Sequence, residues 1–443
     1  MTTNTYRAGA FLEAAGRLGV PIVVGSDHPQ VLAAGNPAGN LAVNFGNPTE
    51  GTRTIVRFSR DYPIDAILAA DDEGVILAAA ASAALGLAHN SVEAVAAARD
   101  KHRMREILAR AGIPCPTFQR IPLDADPEER ARQVIFPCVL KPLSLSGSRG
   151  VIRADTPQEF AAAFYRVVAI LSQREVVAQD GGSSRHILVE GFIPGREVAL
   201  EGLLSEGRLE VLALFDKPDP LDGPFFQETI YVTPSRLAAA LQAEIATRTA
   251  QSLRALGLRH GPVHVELRVN DQWPWIIEMA PRSIGGLCSR TLRFGNGISL
   301  EELILRRVLG SGEESLERER QAAGVMMIPI PLAGILREVR GQAEAEGVPG
   351  IAEIRLTIPV GQEVIPPPEG ARYLGFIFAR GETPERVEAS LREAHHCLTF
   401  LITPREGSPA SAYAGVLTHV HARETEKARA VRPRARVPTG EPR

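Results

Sequence analysis

The sequence predicts a multidomain protein of mixed α/β and α+β class, and three observations carry that expectation. At 443 residues the chain is too long for one compact core, so roughly two to four subdomains are expected. Residues 1 to about 100 alternate helical and strand patterns, as an open parallel α/β unit does. Beyond residue 138 short strands dominate, ending in a hairpin and then a further run of strands with one helix.

Taken in order, "YRAGAFLEAAGRLGV" has the apolar spacing of an amphipathic helix, and "PIVVGS" reads as a short buried strand. "IDAILAADDEG" reads as a second strand ending in Asp71, Asp72 and Glu73, and "GVILAAAASAALGL" as a helix closed near Gly86. A first strand before Tyr6 would complete such a unit and is not visible, so either the coding start lies upstream or the sheet begins one strand short. From Ser91 one helical stretch, "SVEAVAAARDKHRMREILARAG", is expected to stop at Gly112 and Pro114. "FPCVLKPLSLSGSRGV" reads as strand, Ser/Gly loop and strand, "EFAAAFYRVVAILSQR" as a helix, and "HILVEGFIPGREVALEGLLSEGRLEVLALFDKP" as a meander. A loop, "PLDGPFFQETIYVTPS", leads to the long helix "SRLAAALQAEIATRTAQSLRALG" and the hairpin "GPVHVELRVNDQWPWIIEMAPR". Residues 315–405 are expected to form a separate α+β module. Residues 421–443 carry seven basic against three acidic side chains and three prolines, so 406–443 are expected to be a disordered tail.

Composition narrows function. A net charge of -3 gives no electrostatic case for binding nucleic acid or an anionic membrane. The longest apolar runs are Ala-rich and too short to span a bilayer, and the N-terminus mixes charges and glycines, unlike a secretion signal. Four scattered cysteines without a CxxC pair suit a cytoplasmic protein with free thiols. Among 49 basic residues only four are lysines: Lys101, Lys141, Lys217 and Lys427. Arg cannot everywhere replace a compact ammonium on phosphate, so the retained lysines are candidates for that task, with Lys427 idle in the tail.

In the hairpin, Val263, Val265, Leu267 and Val269 point one way and His264, Glu266 and Arg268 the other. Glu278 alternates with Trp275, Ile277 and Met279, and a turn centred on Gln272 sets Glu266 opposite Glu278. Facing carboxylates repel, and a divalent cation removes that cost. The alternative is a pair of exposed acids on a solvated face. The loop "SLSGSRGV" lets backbone amides approach an anion, or is a plain turn, and is neither a Walker A sequence nor GxGxxG. Glu190 and Glu197 are candidates for bonding a base amino group and ribose hydroxyls, or are strand-edge acids.

The ordered set Lys101, "VLKP", "SGSRGV", "VEGFIPGREV", "HVEL" and "IIEMAPRSIGG" resembles the ATP-grasp superfamily over about residues 60–310, most closely its L-amino acid ligase branch. "GVMMIPIPLAGIL" and "YLGFIFARGETPERVEASLREA" look like that branch's C-terminal domain. The resemblance implies a Rossmann-like domain over 1–100 and a two-lobed ATP-grasp domain over 101–310. Its large lobe would comprise 101–140 and 200–310, and its small lobe 141–199. It implies ATP and Mg²⁺ (or Mn²⁺) as cofactors and small-molecule carboxylate and amine substrates, and allows a homodimer. By position, Lys101 and Lys141 match the phosphate-binding lysines, and Ser146, Gly147, Ser148 and Gly150 the flexible loop over the phosphates. Glu190, Phe192 and Ile193 match the adenine hinge, Glu197 the ribose acid, Glu266 and Glu278 the metal carboxylates, and Arg282 the arginine that steadies the acyl phosphate. Lys217 is a further candidate for the γ-phosphate. Many members have Asn where this chain has Ala280, which puts a second metal in doubt.

The implied reaction is C–N bond formation through an acyl phosphate. Arg282, with the amides near Gly285 and Gly286, would stabilise the oxyanion. His264 would contact substrate or phosphate, or is a satisfied strand histidine. Phe225 and Phe226 would line a substrate pocket or are core residues under a loop, and Glu228 would meet the amine. Two rival readings are a biotin-carboxylase- or purine-type carboxylase using bicarbonate, and a nucleotide-binding protein without catalysis.

Overall fold

The structure, a computed structural model, describes residues 7–28, 39–179, 185–310 and 315–404. The expected tail at 406–443 and the strand sought before Tyr6 lie outside these residues. In the N-terminal region, strands Val24–Ser26 and Asn40–Ala42 pair in parallel among helices Ala8–Leu18, Pro48–Phe58 and Val75–Leu85. The last of these closes at Gly86 in the left-handed conformation, as expected. The second expected strand does not form: "IDAILAA" runs without strand pairing into the short turn of helix Asp72–Gly74. A strand exists only through a neighbour, and among the described residues none pairs there.

The single helical stretch expected from Ser91 is two helices, Val92–Arg99 and Lys101–Arg110. Asp100 takes an extended backbone between them, and its carboxylate accepts from the amides of His102 and Arg103. That cap sets Lys101 on the first residue of the second helix. An ammonium there opposes the helix dipole, so the placement is not one that helix stability favours.

Next comes a four-stranded sheet in the spatial order Phe118–Pro122, His186–Gly191, Cys138–Pro142 and Ile152–Ala154. Helix Pro157–Leu171 covers it through Phe160, Phe164 and Val167. The small lobe therefore takes in the strand at 118–122 and residues 138–140 of the next, which the sequence reading assigned to the large lobe. Their pairing with His186–Gly191 decides it.

An eight-stranded antiparallel sheet forms the rest of the frame, in the order Pro274–Ala280, Gly261–Val269, Arg196–Ser205, Arg208–Lys217, Ile230–Thr233, Ala322–Ile328, Gly375–Gly381, Ile351–Leu356. The C-terminal module is thus not separate. Its strand Ala322–Ile328 hydrogen-bonds to Ile230–Thr233, so one sheet runs through both regions. On one face Val263, Val265 and Leu267 pack against Ile245, Leu253 and Leu256 of helix Ala239–Leu256. The opposite face carries the polar residues. Among the described residues no helix is long and apolar enough to cross a membrane.

Candidate active site

The hairpin sets Glu266 directly opposite Glu278, the register expected of a turn centred on Gln272, but the turn itself is centred between Asp271 and Gln272. The strand is not regular, however. A bulge shifts the register between Glu266 and Leu267, so Leu267 pairs with Ile276. Ile276 and Met279 therefore face the core, while Ile277 joins Glu278 in lining the cleft. The expected grouping of Ile277 with Met279 is corrected by that one extra residue.

All three lysines of the described chain are buried; Lys101 and Lys141 line this cleft, and Lys217 lies behind it, paired with its wall residues Glu197 and Glu266. Lys101 Nζ lies 3.2 Å from Glu278 Oε1 and also donates to the Leu145 carbonyl at 2.9 Å. Lys141 Nζ lies 2.7 Å from Glu190 Oε2. Lys217 Nζ lies 2.8 Å from Glu197 and 3.3 Å from Glu266, and also pairs with Glu228. Burial alone would lower the Lys217 pKa, but these three carboxylates outweigh it and hold the ammonium charged.

Glu190 is 2% exposed and takes Arg105 Nε at 2.6 Å as well as Lys141. Burial would raise its pKa, yet the guanidinium and the ammonium together hold it at about 2. Its oxygens are thus spent on cations rather than turned toward a base amino group. Its place in the hinge becomes that of an anchor for Lys141. Glu197 is spent likewise, on Lys217 and on Arg268 Nε at 3.1 Å. The hinge retains Phe192 and Ile193 on the cleft wall, with Arg268 donating to the Ile193 carbonyl at 2.8 Å.

Phe226 is not in a separate substrate pocket. Its ring lies 6.5 Å from that of Phe192, in the same cleft. Phe225 pairs with Ile152 and packs on the small lobe, since the loop carrying both rings lies along that lobe. Glu228 alone of this loop turns into the charged cluster, accepting from Tyr231 Oη at 2.6 Å. Burial raises its pKa, the nearby Glu266 adds to the rise, and Lys217 opposes it. Glu266 goes the other way despite burial, because Lys217 and His264 stabilise its anion.

His264 Nδ1 lies 3.1 Å from Glu201, a fully buried carboxylate on the neighbouring strand, and Nε2 lies 3.6 Å from Glu266. Burial opposes the charged ring, but hydrogen bonds to the two acids win and raise its pKa to about 9. Glu201 also accepts the Ile284 amide at 3.0 Å, which ties the sheet to the loop of Gly285 and Gly286. Gly286 sits at φ 60°, and a Cβ there would come within 3.0 Å of the Phe376 ring. Arg282 makes a two-pronged ion pair with Asp72 of the N-terminal region, Nε at 2.9 Å and Nη2 at 2.7 Å. Burial opposes both charges, yet each partner stabilises the other, lowering the Asp72 pKa and raising that of Arg282.

The Ser/Gly loop holds three left-handed residues, Gly147, Ser148 and Gly150, with φ of 64°, 57° and 73°. Ser148 faces the cleft, and Ser146 borders an adjoining hollow beside Glu278 and Asp72. For a cation, Glu197, Glu228 and Glu266 offer oxygens within 4.8 Å of one another, and Glu278 faces Glu266. These are all hard oxygen donors, the set Mg²⁺ or Mn²⁺ takes. Lys217 already fills much of the three-carboxylate cluster, which leaves Glu266 with Glu278 as the better-fitting pair.

Three family models match in chain order: an ATP-grasp N-terminal domain over residues 12–89, an ATP-grasp domain over 134–291, and L-amino acid ligase C-terminal domain 2 over 326–403. The chain belongs to the ATP-grasp superfamily, in its L-amino acid ligase branch. It is similar to an L-amino acid ligase from Bacillus licheniformis, with 26% identity and a TM-score of 0.77 over 89% of this chain and 96% of that one. An N5-carboxyaminoimidazole ribonucleotide synthetase from Thermotoga maritima shares the fold, with 16% identity and a TM-score of 0.66 over 91% and 98%. An alanine–anticapsin ligase of Bacillus amyloliquefaciens is 26% identical over 60% of this chain and 58% of that one. The chain spans 61%, 58% and 56% of the length of the first curated relatives it matches.

Within this ATP-grasp frame, Asp72, Arg105, Glu201, Tyr231 and Arg268 are site residues that sequence reasoning missed. Two had a usable signal. Arg105 lies four residues after Lys101, on the same helix face, and Glu201 shares the strand face of Glu197. Arg268 was on the right hairpin face but was given no role. Asp72 and Tyr231 arrive from distant elements, and no local pattern marks them.

Proposed function

We propose that this protein is an ATP-dependent ligase that activates a carboxylate, that of an amino acid, as an acyl phosphate and joins it to an amine. The observation that carries the proposal is the convergence of Lys101 and Lys141 with Glu266 and Glu278 on one cleft, with Lys217 behind it, in a chain with so few lysines. The amino-acid class follows the names of similar proteins, an L-amino acid ligase and alanine–anticapsin ligases.

In the first step a carboxylate oxygen of the acid bonds the γ-phosphorus of ATP and ADP leaves. In the second, the amine nitrogen bonds the activated carbonyl carbon, inorganic phosphate leaves, and the amine gives up a proton. Glu266 and Glu278 would hold Mg²⁺ or Mn²⁺, which when bound neutralises phosphate charge. Lys101 and Lys141 supply fixed positive charge beside the phosphates, and Phe192, Ile193 and Phe226 form the apolar wall for the base. Arg282, held by Asp72, stands ready for the oxyanion. His264, held by Glu201 and lying beside Glu266, orients that carboxylate. Glu228, with Tyr231, is the acceptor for the substrate ammonium. Four unpaired thiols suit a cytoplasmic setting.

The test is a screen of amino-acid pairs with Mg·ATP, following ADP and phosphate and identifying product by mass. ADP formation that needs both an acid and an amine is expected. The proposal fails if no amine raises ADP above background. Bicarbonate-dependent hydrolysis would point to a carboxylase, and tight Mg·ATP binding without turnover to a binding protein.

A further inference from the structure

The glycine-rich loop of the small lobe touches the C-terminal domain at a short stretch, residues 365–371 ("IPPPEGA"), that the scheme above does not use. Pro366, Pro367 and Pro368 have fixed φ and no N–H, so this turn is stiff. The Gly370 amide closes it by donating to the Pro366 carbonyl at 3.0 Å, and a Cβ on Gly370 would come within 1.9 Å of the Ile365 carbonyl oxygen. The small lobe meets three acceptors on this turn: the Pro368 and Glu369 carbonyls and the Glu369 carboxylate.

Each acceptor is taken by the small lobe. The Gly150 amide donates to the Pro368 carbonyl at 2.8 Å, and Arg149 Nε to the Glu369 carbonyl at 2.9 Å. Arg166, on the helix behind the loop, grips the Glu369 carboxylate with Nε at 2.5 Å and Nη2 at 2.9 Å. The Cα–H of Gly147 faces Ala371 so closely that a Cβ would lie 3.2 Å from the alanine methyl. The contact bypasses the large lobe and joins residues more than two hundred positions apart in sequence.

We infer that the turn at residues 366–370 is the seat of the phosphate loop, and that Glu369 is a positioning residue for nucleotide binding. The inference rests on the ligase reading above. A loop with three left-handed residues has a wide choice of conformations, and ordering it over phosphate costs entropy. Fastened to a stiff turn, it has less to lose. With the Gly150 amide committed to Pro368, the anion contacts fall to residues 147 and 148, of which Ser148 faces the cleft. The C-terminal domain therefore sets where the phosphates are met, though it supplies no group to them.

The test uses the full chain with Glu369→Ala, Glu369→Gln and Arg166→Ala, alone and combined. Both side chains are partly exposed, at 33% and 44%, so folding is expected to survive, and thermal melts check it. Losing a two-pronged, half-exposed pair is expected to raise KM for ATP about fivefold, with KM for the amino acid unchanged. Tryptic cleavage after Arg149 should quicken by a similar factor, Mg·ADP should suppress it, and the double variant should be no worse than the worse single. The inference is overturned if a folded Glu369→Ala protein keeps wild-type KM for ATP and wild-type cleavage, or if the two substitutions multiply. The cleavage rate needs no nucleotide, so it reads the seat even if calorimetry finds no ADP binding, a result that would count against the ligase reading instead.

Discussion

Replacing Glu190 by Gln tests how the cleft holds its charges. The side chain is buried between Arg105 and Lys141, and the substitution keeps its shape while leaving two cations without their anion. Bringing its pKa from 4.5 to about 2 corresponds to about 3 kcal/mol of preference for the charged carboxylate in the folded state. Breaking a buried pair by removing one partner costs about 3–5 kcal/mol by general experience, which agrees. The sign follows from the direction. The folded value lies below the unfolded one, so the stabilisation is complete above about pH 4.5 and is lost as pH falls toward 2. Urea melts at neutral pH should show Glu190→Gln less stable by about 3 kcal/mol, and the gap to wild type should narrow steadily through the acid range. KM for ATP should rise as well, because Lys141 loses its anchor. A difference below about 1 kcal/mol, or one that stays constant from neutral pH to pH 3, would refute the reasoning.

Three further outcomes are expected. Glu278→Ala should lower ATP turnover by at least about a hundredfold, read as ADP release, since it removes both the facing carboxylate and the partner of Lys101. Asp72→Asn should lower kcat about tenfold or more with KM for ATP nearly unchanged, because Arg282 loses the pair that aims it; steady-state kinetics separates the two constants. Ala280→Asn, opposite His264 on the cleft face, should add an oxygen ligand and a second bound Mn²⁺ per chain in the presence of ADP, counted by electron paramagnetic resonance.

The legible part of the site was the part built from local periodicity. Strand alternation set His264, Glu266 and Arg268 on one face; the facing of Glu266 and Glu278 was expected from a turn on Gln272, and a bulge in the structure restores it. The scarcity of lysine marked Lys101, Lys141 and Lys217 before any contact was known. What failed did so for want of a partner. "IDAILAA" has the composition of a strand, yet no described strand pairs with it. The strand at 118–122 went to the small lobe because His186–Gly191 lies beside it, a fact some seventy residues away in sequence. Phe225 and Phe226 were open between pocket and core, and the structure divides them: Phe226 lines the cleft beside Phe192, and Phe225 packs on the small lobe.

The company of the acids was illegible for the same reason. Glu190 and Glu197 sit where a nucleotide's hydrogen-bonding groups would pass, and their positions along the chain suggested that they meet them. Whether a carboxylate is free depends on which cations stand around it, and Arg105 and Arg268 come from other elements.

By itself the sequence determined most of the order of elements, the face that strand Gly261–Val269 turns inward, and the scarce lysines and hairpin acids that meet in the cleft, because these follow from periods of two and 3.6 residues and from side-chain type. Only the tertiary structure decided the company of each group: the cations beside Glu190, the acids beside His264, the reach of Asp72 to Arg282, and the C-terminal turn beneath the Ser/Gly loop. Electrostatics and hydrogen bonding act through space over a few ångströms, and the chain brings together across those distances residues that its own order keeps far apart.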